Sequence, residues 1–162
     1  MTRYTFGNGH LISQAQGGET RYFLHDALQS TRALTDETGE VTSTFAYDAF
    51  GELVEQTGVT SETDYLFTGQ QYDSGTELYS LRARFYSPAQ GRFLSRDPHP
   101  YNYRNPFELN RYVYTANNPA TYVDPSGRSL AEIGKQISSA VKALQNGRWV
   151  AGATGGTFGA AA

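Results

Sequence analysis

A short motif centred on aspartate recurs along the chain, and it constrains the fold more than any other feature. His25-Asp26-Ala27-Leu28 returns as Tyr47-Asp48-Ala49-Phe50-Gly51, an offset of 22 residues, with a weaker echo at Tyr72-Asp73-Ser74-Gly75. Repeats at periods above about 20 residues mark architectures in which one strand-turn-strand unit cannot cover its own apolar face, so copies stack side by side. Between the aspartates, the runs 21–25, 31–34, 41–47, 52–55 and 65–68 are rich in Tyr, Phe, Leu, Val and Thr. Such runs punctuated by Gly, Asp and Asn predict short antiparallel strands. In Asp36-Glu37-Thr38-Gly39 the glycine can take positive φ, which pairs the flanking TRALT and EVTSTFAY as a hairpin.

Composition points the same way. The 12 Tyr, 9 Phe and 17 Gly supply pleated-surface residues and turns, against one Trp and one Met. A formal charge of −3 and a pI near 5.6 give no basic footprint for a phosphate backbone, so nucleic acid is not an expected partner. Without cysteine there is no disulfide and no thiolate nucleophile or ligand. His10, His25 and His99 are too scattered for a motif-type metal site, and no cofactor is expected. The first ten residues, MTRYTFGNGH, lack the apolar stretch of a signal peptide, so the expectation is a fragment whose export signal lies elsewhere.

Beyond residue 77 the pattern changes. Residues 78–93 are dense in aromatics and arginines, and two readings stay open: Arg stems packed on Tyr and Phe faces, or a carbohydrate or anion groove. Prolines 98, 100, 106, 119 and 125 then break regular structure over 96–127, which predicts a loop-rich plug with only 111–115 extended. After Gly127, Leu130, Ile133, Ile137, Val141 and Leu144 follow a helical period, with Ser129 as N-cap and Glu132 completing a capping box. This predicts a helix over 130–145, ended by Asn146-Gly147. The uncharged Gly/Ala-rich stretch from Trp149 to Ala162 is 14 residues, short of the ~20 needed to cross a membrane, and reads as a linker or the truncated start of a following region.

Two long signatures carry a resemblance. LRARFYSPAQGRFLSRDP at 81–98 and LNRYVYTANNPATYVDPSG at 109–127 closely resemble the core associated with Rhs repeats, and YFLHDALQSTRALTDETGEV with Tyr47-Asp48-Ala49-Phe50-Gly51 resembles the YD repeats that precede it. The resemblance covers about 4–127. It implies an all-β fold in which antiparallel YD-repeat strands form an arc of a spiralling β-shell, with a loop-rich core plug and one C-terminal amphipathic helix. The expected organisation is YD-repeat hairpins at 1–68, the repeat-associated core at 69–127, a helix at 128–147 and a tail at 148–162. Rhs proteins, the C subunits of insecticidal Tc complexes and the teneurins share this setting, which is secreted or on the cell surface. There the shell encloses or presents a C-terminal segment, often a toxin.

Many relatives of this core cleave themselves just after a DPxG motif using two aspartates. The matching positions are Asp97, in Ser95-Arg96-Asp97-Pro98, and Asp124, in Asp124-Pro125-Ser126-Gly127. The chemistry needs two carboxylates sharing a proton, one activating water and the other polarising the scissile carbonyl. Arg96 either holds Asp97 in place or is a solvated charge. The competing reading makes each Asp-Pro a turn starter whose side chain caps its own backbone. If the pattern carries over, the scissile bond joins Arg128 to Ser129, although relatives place Leu where this chain has Arg128.

Three functions follow. The first is a shell or encapsulation module that encloses or displays its own C-terminal segment or toxin, with intramolecular aspartic-type autoproteolysis as an option. The second is a cell-surface recognition module in which the clusters 79–86 and 101–104 contact a glycan or surface protein, or a β module that self-assembles into a homo-oligomer, ring or filament through sheet edges. The third is an enzyme acting on external substrates. Neither a nucleophile elbow, a phosphate-cradling loop nor a paired-His motif supports it.

Overall fold

The computed structural model describes residues 2–7, 9–58, 63–98, 100 and 109–128. The chain divides into two units, Met1–Leu130 and Ala131–Ala162, and every described residue belongs to the first. The helix expected at 130–145, the tail, His99 and the cluster 101–104 lie outside the described residues.

What is described is all-β, as expected. A six-stranded antiparallel sheet runs in sequence order through β1 (Arg3–Gly7), β2 (His10–Gln16), β3 (Glu19–His25), β4 (Thr31–Thr35), β5 (Val41–Tyr47) and β6 (Leu53–Thr57). A second, four-stranded sheet is built from β7 (Gln71–Asp73), β8 (Leu78–Leu81), β9 (Arg84–Ser87) and β10 (Arg92–Phe93). Every strand pairs only with its neighbours in sequence, the arrangement that short turns permit.

The aspartate motif is the turn that closes these hairpins. At Asp26, Asp36 and Asp48, carboxylate Oδ1 accepts the backbone N–H groups two and four residues on, at 2.8–2.9 Å. In each the aspartate N–H also donates to the carbonyl four residues ahead. The fourth turn residue is left-handed each time: Gln29 at φ 69°, Gly39 at 88° and Gly51 at 91°. The sequence repeat of 22 is therefore two strands and two such turns, which returns alternate turns to the same end of the meander. The expected TRALT–EVTSTFAY hairpin forms around Asp36, with Leu34 opposite Ser43.

Alternation sorts the side chains. Phe23, Leu34 and Ser43 are paired across β3, β4 and β5 and are 7%, 0% and 1% exposed, while the adjacent row starts at Leu24, which is 48% exposed. In the second sheet one row crosses all four strands, Tyr72, Tyr79, Tyr86 and Phe93. Ring centroids along it lie 4.8, 6.4 and 5.8 Å apart. Each such contact contributes about 0.5–1.5 kcal/mol beyond area burial.

The aromatic row seats the turn between β5 and β6. The Tyr79 hydroxyl donates to the carbonyl of Gly51 at 3.0 Å and that of Tyr86 to Phe50 at 2.6 Å. Burial pushes both phenols well above their usual range, so they stay neutral donors. Phe67 fills the space between, tilted against Tyr47, Tyr79 and Tyr114.

The run 65–68, expected as a strand, departs from that reading. Tyr65 makes a single bridge to Gln71, and Phe67–Gly69 form a 3₁₀ turn with Thr68 at φ 49°. The reason is that this segment serves β4: Thr31 donates its N–H to Leu66 and its hydroxyl to Tyr65. Residues 111–115 likewise give one bridge, Val113 to Arg92, before a 3₁₀ turn over Thr115–Asn117.

A Cβ on Gly51 would sit 2.4 Å from the Phe67 ring at positive φ, whereas one on Gly39, in the same turn position, meets nothing within 4 Å. Gly51→Ala is expected to cost about 2–4 kcal/mol and Gly39→Ala only about 1 kcal/mol, as read from urea denaturation midpoints.

Candidate functional site

A two-residue turn at Arg82-Ala83 sets Arg84 opposite Leu81, on the buried face of the second sheet. Arg84 is therefore an arginine pointing into the core, with its side chain 3% exposed. Its guanidinium carbon lies 3.5 Å from the centre of the Phe93 ring. Arg92 stands over Tyr112 at 5.1 Å in the same fashion. Of the two readings open for 78–93, these contacts are those of Arg stems packed on aromatic faces.

A cation so placed must be compensated, because burying an isolated charge is prohibitive. Each Arg84 nitrogen is used. Nε donates to the carbonyl of Gly127, Nη1 to that of Arg111 at 3.2 Å, and Nη2 lies 3.1 Å from Asp97 Oδ2 and 3.3 Å from Asp124 Oδ2. Burial pulls the guanidinium pKa down while Asp97 and then Asp124 push it back up. Arginine remains a cation throughout.

The two aspartates that sequence singled out, 27 residues apart, thus converge on one nitrogen. Asp124 is 4% exposed, and the Asp97 side chain is 20% exposed. Arg96 is exposed, and the guanidinium standing between the carboxylates is that of Arg84. The Asp97 loop is tied down separately: its N–H donates to the Arg111 carbonyl at 3.0 Å and its own carbonyl accepts from Arg111 Nη2. Arg128 is exposed, and Ser129 lies outside the described residues.

Asp124 also makes a turn. Its Oδ1 accepts the N–H of Arg128 at 3.1 Å and the Ser126 hydroxyl at 3.2 Å, and Gly127 is left-handed at φ 66°. It shares with the turns at Asp26, Asp36 and Asp48 an Oδ1 that accepts the N–H four residues on and a left-handed fourth residue, but the residue two on contributes its hydroxyl. Gly127 admits no side chain, since a Cβ would lie 2.3 Å from the Leu81 carbonyl.

Arg84 was the residue that sequence reasoning passed over. Its signal was present, because a tight turn after Leu81 puts Arg84 and Tyr86 on the face of Tyr79 and Leu81, and an inward arginine demands partners. The surface reading of 79–86 loses its aromatics: Tyr79 and Tyr86 are 1% and 0% exposed, leaving Phe85 at 56%. Among the described residues, no group of three or more His, Asp or Glu side chains is placed to hold a metal ion.

Removing Arg84 strands a buried carboxylate. Arg84→Met is expected to cost about 3–5 kcal/mol at pH 7, measured by thermal unfolding.

Residues 1–120 match the teneurin YD-shell family. The chain is 36% identical over 127 residues to the tRNA3(Ser)-specific nuclease WapA of Bacillus spizizenii, spanning 76% of this chain and 5% of that protein. It is 39% identical over 144 residues to the double-stranded DNA deaminase toxin A of Burkholderia cenocepacia, spanning 85% of this chain and 9% of that one. Among solved structures, a Photorhabdus luminescens Tc holotoxin pore superposes with a TM-score of 0.63 at 27% identity, over 73% of this chain and 6% of that chain. The chain is thus a small fraction of the length of the relatives it matches, and with most of its residues matched to the family, it belongs to the teneurin YD-shell family.

Proposed function

We propose that this chain closes a YD shell and fixes the point at which the following polypeptide leaves it, with self-cleavage just after the Asp124-Pro125-Ser126-Gly127 turn as the release step. The observation that carries this reading is the burial of that turn. An exit from a shell needs a chain segment locked into the wall, and Asp124 and Gly127 are both held by Arg84. The partner is the chain's own C-terminal segment. Two relatives are named for effector activities, a nuclease and a deaminase toxin, which supports an effector in that position. The likeness to teneurins and Tc toxins supports a secreted or cell-surface setting. No helix among the described residues is long and apolar enough to cross a membrane.

In this reading Asp97 and Asp124 are the carboxylate pair, and Arg96 adds positive charge next to Asp97 in the chain. One carboxyl accepts a proton from water while the other supplies one. Intact mass of the purified 162-residue chain tests it. Wild type is expected to resolve into two fragments, and Asp124→Asn, which keeps a turn acceptor, into one full-length species. Full-length mass for both proteins would remove self-cleavage from the proposal.

A further inference from the structure

The outer face of the second sheet carries a hollow that neither the buried arginine nor the aromatic row explains. Cross-strand pairing sets Gln71 opposite Ser80 and Ser80 opposite Phe85, one row across β7, β8 and β9. Alternation turns that row away from the buried Tyr79 and Tyr86. The three side chains border a hollow of about 370 Å³, which Asp64, Asp73 and Ser74 also line. That volume falls within the ~300–1,000 Å³ of small-molecule sites. From it we infer a binding site for a neutral saccharide, with Phe85 as the platform under the sugar ring and Asp64, Asp73 and Gln71 as the groups that read its hydroxyls. The site is independent of self-cleavage.

Hydrogen-bonding capacity there is unspent. Among the described residues, the carboxylate of Asp64 and the side chains of Gln71 and Ser80 have no hydrogen-bond partner. Asp73 spends Oδ1 on the N–H groups of Gly75 and Thr76, at 2.8 and 3.2 Å, and keeps Oδ2. Phe85 is 56% exposed between Arg84 and Tyr86, which are 5% and 0% exposed. One exposed ring is ordinary by itself. A flat ring beside uncommitted donors and acceptors matches a sugar, which has C–H bonds on its face and hydroxyls round its edge.

The backbone holds these groups in place before any ligand arrives. Asp73 is fixed by its turn, in which its carbonyl accepts the Glu77 N–H at 2.7 Å. Asp64 is tied to β7 by the Tyr72 N–H at 2.7 Å and by the neighbouring bridge from Tyr65 to Gln71. Groups on strands and closed turns lose little freedom on binding.

Charge decides the class of ligand. Among the described residues the hollow is lined by two carboxylates and by no Lys, Arg or His, which disfavours phosphate, sulfate and acidic sugars. A lone cation gains little, because both carboxylates are exposed and exposed ion pairs are weak. A neutral ring uses everything present: its hydroxyls donate to the carboxylates and accept from the Gln71 amide and Ser80 hydroxyl, while its C–H face lies on Phe85. This reading places the glycan contact expected of 79–86 on Ser80 and Phe85, opposite its tyrosines.

A glycan array probed with the 162-residue chain tests the site. Signal is expected on neutral hexose-terminated glycans and not on sialylated or sulfated ones. Phe85→Ala and Asp64→Ala are each expected to lower it about tenfold. Val54→Ala, at a residue 64% exposed on the first sheet, is expected to leave it unchanged. All three positions are exposed, so urea midpoints are expected to stay at the wild-type value. Should Phe85→Ala shift its midpoint, Asp64→Ala decides. No signal on neutral glycans, signal on acidic ones alone, or full signal from Phe85→Ala with an unshifted midpoint overturns the assignment. So does retention of an oligolysine peptide in place of every neutral glycan, which makes the hollow a cation site.

Discussion

One carboxylate oxygen closing a five-residue turn is the interaction on which the rest of this molecule depends. At Asp26, Asp36 and Asp48 it satisfies two backbone N–H groups that the hairpin would otherwise leave unpaired, and it commits the fourth residue to a left-handed conformation. Because the turn is short and self-contained, each strand must fold back on the one before it. A meander follows, and with it the rows of side chains that bury Phe23 and Leu34. Register shifts at Leu24/His25, Leu34/Thr35 and Ala46/Tyr47 accompany these turns and add twist to the sheet.

A related turn at Asp124 takes a different role from its surroundings. At the end of the core the second carboxylate oxygen of Asp124 faces Arg84, and the turn is a buried anchor. Residues 96–98 and 109–128 have little regular structure of their own, so backbone ladders cannot hold them. A buried guanidinium can, because its fixed fork demands acceptors in a few directions and leaving any unmet is costly. Arg84 thereby ties together the two sequence signatures that carried the family resemblance, one holding Arg84 and Asp97, the other holding Arg111, Asp124 and Gly127.

Legibility from sequence followed the range of the forces involved. The strands 21–25, 31–34 and 41–47 and the Asp36 hairpin were readable because alternation and turn chemistry act over a few residues. The run 65–68 looked like those strands in composition, yet its backbone is claimed by Thr31, more than thirty positions earlier, and no local pattern announces that. Tyr79 and Tyr86 read equally well as a recognition surface or a core. Only their pairing in one row, with hydroxyls on the Gly51 and Phe50 carbonyls, decides for the core.

The amino-acid sequence by itself determined an all-β chain of Asp-punctuated hairpins, the membership of its core signatures and the identity of the two aspartates, since each rests on local spacing and residue type. Tertiary structure alone decided that those aspartates share one cation, that the cation is Arg84 and not the adjacent Arg96, and that the Gly127–Arg128 peptide lies against it. The physical reason is that charge compensation in a dry core is set by distance through space, which strand register and burial establish and chain separation does not.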